Sequence, residues 1–205
     1  VFTSGGTESN HLGIQSLAMG TSKKEILVSP LEHSSVYEIL TYLSETSGYR
    51  VKTLPVDDTG HVTPAILKRA ITAETGLVIL QAVNAITGIV QDITALNDLA
   101  IDAGVPLFVD AVQGLAKVPL DLSQVAGFSA SSHKLNGPKS CGILYLSPQA
   151  ITKAPYKYVF QQNGFLPGTI AVPEVVSATV ALQTAWDNRA ANFKHVSALK
   201  KQLLS

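Results

Sequence analysis

Charge is scarce in this sequence. Asp, Glu, Lys and Arg supply only 15% of its 205 residues, and 15 basic residues balance 15 acidic ones to a formal net charge of zero. Without a basic excess there is no field to hold a polyanion, so neither nucleic acid nor a membrane surface is expected as a partner. Cysteine is nearly absent. Cys141 stands alone, which excludes an internal disulfide and a multi-cysteine zinc site; no metal centre is expected. That usage fits a reducing compartment, and the expected location is cytoplasmic. No apolar run approaches the roughly 18 residues of a membrane helix, and the N-terminus lacks the form of a signal peptide. The apolar share of 46% is ordinary. Little charge on a normally hydrophobic chain points to surface covered by a partner subunit.

What is present is an alternation. Short apolar runs occur at 1–3, 26–29, 51–54, 77–81, 107–109, 127–131 and 142–146. Helix-like stretches separate most of them: Thr7 to Gly20, His33 to Ser47, a helix opened by Thr63-Pro64, and Ile93 to Ala103 before Gly104. The pattern predicts an α/β fold, a mainly parallel sheet of about seven strands with helices on both faces. Residues 147–171 carry Pro148, Pro155, Gly164, Pro167 and Gly168 and read as loop. From Val172 to Leu204 one apolar stripe at helical spacing predicts a long terminal helix. We expect one large domain over 1–170, truncated at its N-terminus because it starts on a strand without lead-in. The helix of 171–205 is expected to lead to a second body beyond it.

In an open parallel sheet, ligands bind beyond the carboxyl ends of the strands. Ser4-Gly5-Gly6-Thr7 follows the first run and enters a helix, whose free N–H groups favour an anion such as phosphate. Glu32-His33 follows the second run, Asn84 the fourth, and Asp110 the fifth, emerging from a strand almost wholly apolar. Ser131-Ser132-His133-Lys134 follows the sixth, where a lysine can lose its proton more readily than on open surface. Each has a plainer reading: a turn at Gly5-Gly6, a helix cap at His33 and Asp110, a turn residue at Asn84, a solvated Lys134. Together they set an anion site, a ring-stacking side chain, a lone carboxylate and an imine-forming amine at strand ends. Pyridoxal 5'-phosphate (PLP) needs that set.

The same segments carry a resemblance. Thr3-Ser4-Gly5-Gly6-Thr7-Glu8-Ser9-Asn10, Glu32-His33, Val83-Asn84, Gly88-Ile89-Val90-Gln91-Asp92-Ile93, Val109-Asp110-Ala111-Val112-Gln113 and Ser131-Ser132-His133-Lys134-Leu135-Asn136-Gly137-Pro138-Lys139 are colinear with cysteine desulfurases. These belong to the class V branch of fold-type-I PLP enzymes, whose large domain has the expected architecture. The resemblance implies that Lys134 binds the cofactor aldehyde and later moves the Cα proton. It implies that His33 stacks on the ring and assists proton transfer, that Asp110 pairs with the pyridine nitrogen, and that Asn84 and Gln113 flank the phenolic oxygen. Thr7, Ser131 and His133, with the backbone at Gly6, would hold the phosphate. Pro167-Gly168-Thr169 resembles the loop lent by a dimer mate, so Thr169 would act in trans in a homodimer. The implied reaction takes L-cysteine, or a similar amino acid, to L-alanine and an enzyme persulfide. That sulfur would pass to an acceptor protein, as in iron–sulfur cluster assembly.

The sequence also departs from that family. Its nucleophilic cysteine and carboxylate-binding arginine are expected in a C-terminal segment outside this chain, and Cys141 reads as a buried strand residue. Leu166 replaces the usual Arg of the Arg-x-Gly-Thr loop, Gln161-Gln162 a Gly-Gly, Ala85-Ile86 an Asn-Glu, and Ser132 a Gly. Two alternatives therefore stand beside the desulfurase: a non-catalytic or truncated scaffold, and another class V enzyme such as a selenocysteine lyase or aminotransferase. The 205 residues alone are expected to show little or no turnover.

Overall fold

The computed structural model describes all residues from Val1 to Ser205. Seven strands form one sheet: β1 Phe2–Thr3, β2 Glu25–Val28, β3 Arg50–Thr53, β4 Thr75–Gln81, β5 Leu107–Asp110, β6 Gly127–Ser131 and β7 Gly142–Leu146. Their spatial order is β1-β7-β6-β5-β4-β2-β3. The pairs from β6 through β3 are parallel, whereas β7 is antiparallel to both β6 and β1. Two reversals restore the direction, so β1 points the same way as β2, β4, β5 and β6. The carboxyl ends of those five strands therefore share one edge.

Period-two alternation divides the core. Ile26, Val28, Leu77, Ile79 and Phe108 pack on the face covered by α1 (Gly6–Met19) and α2 (Ser34–Ser47). Leu27, Val78, Leu80, Leu107 and Val109 pack on the opposite face, against α3 (Pro64–Ala70) and α4 (Ile93–Asp102). All seven residues of β4 are buried, as expected for a central strand covered on both sides. Helix starts follow local chemistry. Thr63 Oγ1 accepts from Ile66 N at 3.3 Å ahead of Pro64, and Asp92 Oδ1 accepts from Ala95 N at 3.1 Å.

The expected loop over 147–171 contains one 3₁₀ turn, Gln161–Gly164. Gln162 ties it to the sheet edge: its Oε1 accepts from Phe2 N at 2.6 Å and its Nε2 donates to Phe2 O at 2.9 Å. The terminal helix runs as α5 (Val172–Asp187) and α6 (Arg189–Leu204). Between them Asn188 donates to Thr184 O and accepts from Asn192 N, so the hydrogen-bond ladder passes through. Its apolar stripe, including Val176, Val180, Phe193, Val196 and Leu203, is exposed. No helix is long and apolar enough to cross a membrane.

Candidate active site

A cavity of about 320 Å³ opens at the shared carboxyl edge. Of the ten expected site residues, eight line it: Gly6, Thr7, His33, Asp110, Gln113, Ser131, His133 and Lys134. They come from four different strand ends, those of β1, β2, β5 and β6, which is how an open parallel sheet assembles a site.

The anion end is the start of α1. No side chain caps this helix, so the N–H groups of its first turn lack intrahelical partners. Gly6 lines the cavity at that turn, and a Cβ there would lie 2.8 Å from Val112 Cγ2. The bare backbone is what leaves room for an anion to reach those N–H groups. Ser131 Oγ stands with His133 Nδ1 at 2.8 Å. Burial, and then the charges of Lys134, Lys139 and Lys117, hold the His133 pKa below its usual value. The imidazole is thus kept neutral near pH 7.

The opposite end is acidic and dry. Asp110 is 2% exposed. Its Oδ2 accepts from Asn10 Nδ2 at 2.9 Å and its Oδ1 from Val112 N at 3.0 Å. Both donors are neutral, and no cation forms an ion pair with it. Burial therefore pushes its pKa up, against the pull of those hydrogen bonds and of His33. A buried carboxylate without a cationic partner suits a ligand that brings one.

His33 caps α2 as the plainer reading had it and also faces the cavity. Its Nδ1 accepts from Ser35 N at 3.1 Å and pairs with Ser35 Oγ at 2.8 Å. In the neutral ring the proton then sits on Nε2. Lys134 lies in the 3₁₀ turn Ser132–Leu135, and its Nζ has no hydrogen-bond or ion-pair partner within the chain. The amine is free for a ligand.

Two expected residues lie elsewhere. Asn84 is not on the cavity wall. Its Nδ2 donates to Leu31 O and Gln81 Oε1, while its Oδ1 accepts from the N–H groups of Ile86 and Thr87. Both amide hydrogens are engaged, so it builds the turn and holds Gln81, which does line the cavity. Thr169 lines a separate cleft with Phe2, Cys141, Gln162 and Glu174. Asn10, Ser35 and Gln81, with Ala85 and Val112, complete the wall, and no motif reading gives the first three a role. Asn10 lay inside the quoted Thr3–Asn10 segment, but its partner is 100 residues away.

Glu32, a half-buried residue, turns a second carboxyl inward behind the cavity wall. Its Oε1 accepts from Gln81 N at 2.6 Å, and its Oε2 is buried without a partner. Burial and then the nearby Asp110 raise its pKa well above the ordinary range. A carboxyl whose folded pKa exceeds its unfolded one contributes most stability below the unfolded pKa. It loses that contribution as pH rises through the folded pKa. The urea midpoint of the cofactor-free chain is therefore expected to fall as pH rises above the ordinary carboxylate range. Glu32→Gln should remove much of that fall, and an equal fall in the variant would refute the assignment.

Residues 1–203 match the model of the family described as Aminotransferase class-V. The chain belongs to that family. Class V aminotransferases depend on PLP, and the lone buried Asp110, the free amine of Lys134 and the uncapped start of α1 fit this group. Among relatives, the NifS protein of Bacillus subtilis (strain 168) is 39% identical over 186 residues, covering 89% of this chain and 47% of that protein. The cysteine desulfurase IscS of Rickettsia bellii (strain OSU 85-389) is 33% identical over 210 residues, covering 100% of this chain and 51% of that protein. A solved NifS-like protein superposes with a TM-score of 0.93 at 31% identity, covering 100% of this chain and 57% of that one. The class V chain thus spans about half the length of the relatives it matches.

Proposed function

We propose that this chain is the PLP-binding part of a cysteine desulfurase. In this reading residues 1–170 form the cofactor domain and 171–205 the helix leading to a small domain. One observation carries it. A buried carboxylate without a cationic partner, an unpartnered amine and a free helix start meet in one cavity, in a chain that aligns over its whole length with an IscS desulfurase.

Bound PLP supplies an electron sink for the pair released when a bond at the amino-acid Cα breaks. The chain's own residues do the rest. Lys134 would hold the aldehyde carbon through Nζ, and as a free amine it would move the proton at the substrate Cα. Asp110 holds a proton on the ring nitrogen, because its buried charge gains from an adjacent cation. His33 covers the ring and offers Nε2–H, fixed there by Ser35 at Nδ1. Gln113 is a donor for the ring oxygen, and Asn84 supports the same region through Gln81. Thr7, Ser131, His133 and the backbone at Gly6 bind phosphate. An enzyme thiolate then takes the substrate sulfur, leaving persulfide and L-alanine. Cys141 is not that thiolate. It is 3% exposed, and burial, then Glu174, push its pKa up, whereas the attacking group must be an accessible thiolate.

The reading extends to a homodimer in which Thr169 serves the mate's phosphate site. The exposure of Thr169 and its place in a cleft other than the site cavity support this. It extends also to a sulfur-acceptor protein, a role in iron–sulfur cluster assembly and a cytoplasmic setting, which rest on the resemblance and on a free, reduced Cys141.

The test is the visible absorption spectrum with PLP, before and after borohydride. The expected result is a Schiff-base band that borohydride fixes onto the chain and that Lys134→Ala abolishes. A band indifferent to Lys134, or none, would overturn the proposal.

A further inference from the structure

We infer that Lys117 is a positioning residue: its ammonium holds the Gln113 amide so that Nε2, not Oε1, is offered to the cofactor's ring oxygen. The inference rests on the PLP reading above. Lys117 Nζ donates to Gln113 Oε1 at 2.9 Å. An ammonium carries donors only, so the amide atom facing it must be the oxygen. That settles the orientation of a side chain whose two ends are otherwise nearly equivalent. Gln113 lines the cavity, and its Nε2 has no partner within the chain. An amide turned the other way would set oxygen against oxygen at the ring.

The backbone is shaped for this contact. Lys117 N donates to Gly114 O at 3.1 Å, and Ala116 takes the left-handed conformation at φ 55°. L residues disfavour that region, and it reverses the chain just before Lys117. The side chain is half-buried and forms no ion pair. Burial, then the neighbouring charge of Lys134, lower its pKa. Such a desolvated cation is costly on open surface terms and has found one fixed acceptor. The charged and titratable groups around it are Lys134, His133 and Lys139, with Asp110 and His33 across the cavity.

A donor at the ring oxygen and a nearby positive charge both lower the proton affinity of the bound imine. The experiment is a pH titration of the visible band in PLP-loaded protein. Lys117→Met keeps the apolar stem and removes the ammonium. It is expected to raise the apparent pKa by about one unit, a tenfold gain in proton affinity, while Lys117→Arg stays with the unaltered protein. In a Gln113→Leu background the Lys117→Met shift should shrink to the smaller through-space effect of the lost charge, because most of it passes through Gln113. Lys117→Gln serves if the Met variant does not fold. An unmoved pKa, or a full shift without Gln113, would overturn the inference while leaving the PLP reading intact. Absence of a Lys134-dependent band in the unaltered protein would overturn both.

Discussion

Asp110→Asn is expected to leave the chain at least as stable as before and to remove most of the turnover of the full desulfurase proposed above. Stability follows from the two hydrogen bonds. The Asn Oδ1 still accepts from Val112 N, and Asn10, whose Oδ1 is buried without a partner, can turn over to accept from the new amide. The substitution also removes a carboxylate that burial disfavours. Since Asp110 has a raised folded pKa, its charge costs stability above that pKa and nothing below its unfolded one. The gain from Asn should therefore be larger at neutral pH than at acid pH. Turnover is a different matter. A neutral amide cannot hold a proton on the ring nitrogen by charge, and losing one such electrostatic group costs about 10²–10³-fold in rate. Cysteine-dependent alanine formation by the PLP-loaded full-length desulfurase, beside urea melts of this chain at two pH values, separates the two effects. Full activity with Asn at 110 would remove Asp110 from the proposed mechanism.

Phe108→Ala is the substitution expected to cost most stability. Phe108 is fully buried on β5, two residues before Asp110. Its ring lies against Gly13 of α1, so closely that no Cβ fits there, and its Cδ2 is 3.3 Å from the Cβ position of Gly127 on β6. One ring thus sets how α1 sits over the sheet. Truncating a buried Phe costs about 3–5 kcal/mol, against a total of about 5–15 kcal/mol for a typical domain. The urea midpoint should drop accordingly with little change in slope. PLP affinity should fall too, because α1 carries the uncapped N–H groups and Asn10. Phe108→Leu keeps much of the volume and should lose less. A Phe108→Ala protein as stable as the original would mean that this core relaxes around the loss.

Much of this was legible along the chain because it depends on neighbours in sequence. The seven apolar runs became the seven strands, most plainly in β4, where burial on both faces demands near-continuous apolar residues. Thr63-Pro64 opened a helix because its cap and ring act within one turn. The strand-end residues Gly6, Thr7, His33, Asp110, Gln113, Ser131, His133 and Lys134 met at one edge because parallel strands put all their carboxyl ends there. Composition alone, with one cysteine, excluded an internal disulfide.

Only the tertiary structure decided the partnerships. Asn10 and Asp110 are 100 residues apart and bond at 2.9 Å; no local pattern announces such a pair. Asn84 stands beside the site in sequence, yet its amide is spent on Leu31 and Gln81, because the turn needed those hydrogen bonds. β1 points with the parallel strands only through the two antiparallel pairings of β7. Lys117 reads as an ordinary surface cation until packing half-buries it beside Lys134 and leaves Gln113 as its acceptor. Elements are set by side chains a few positions apart. Hydrogen-bond partners and desolvation are set by whatever the folded chain brings alongside, and that is information no single segment holds.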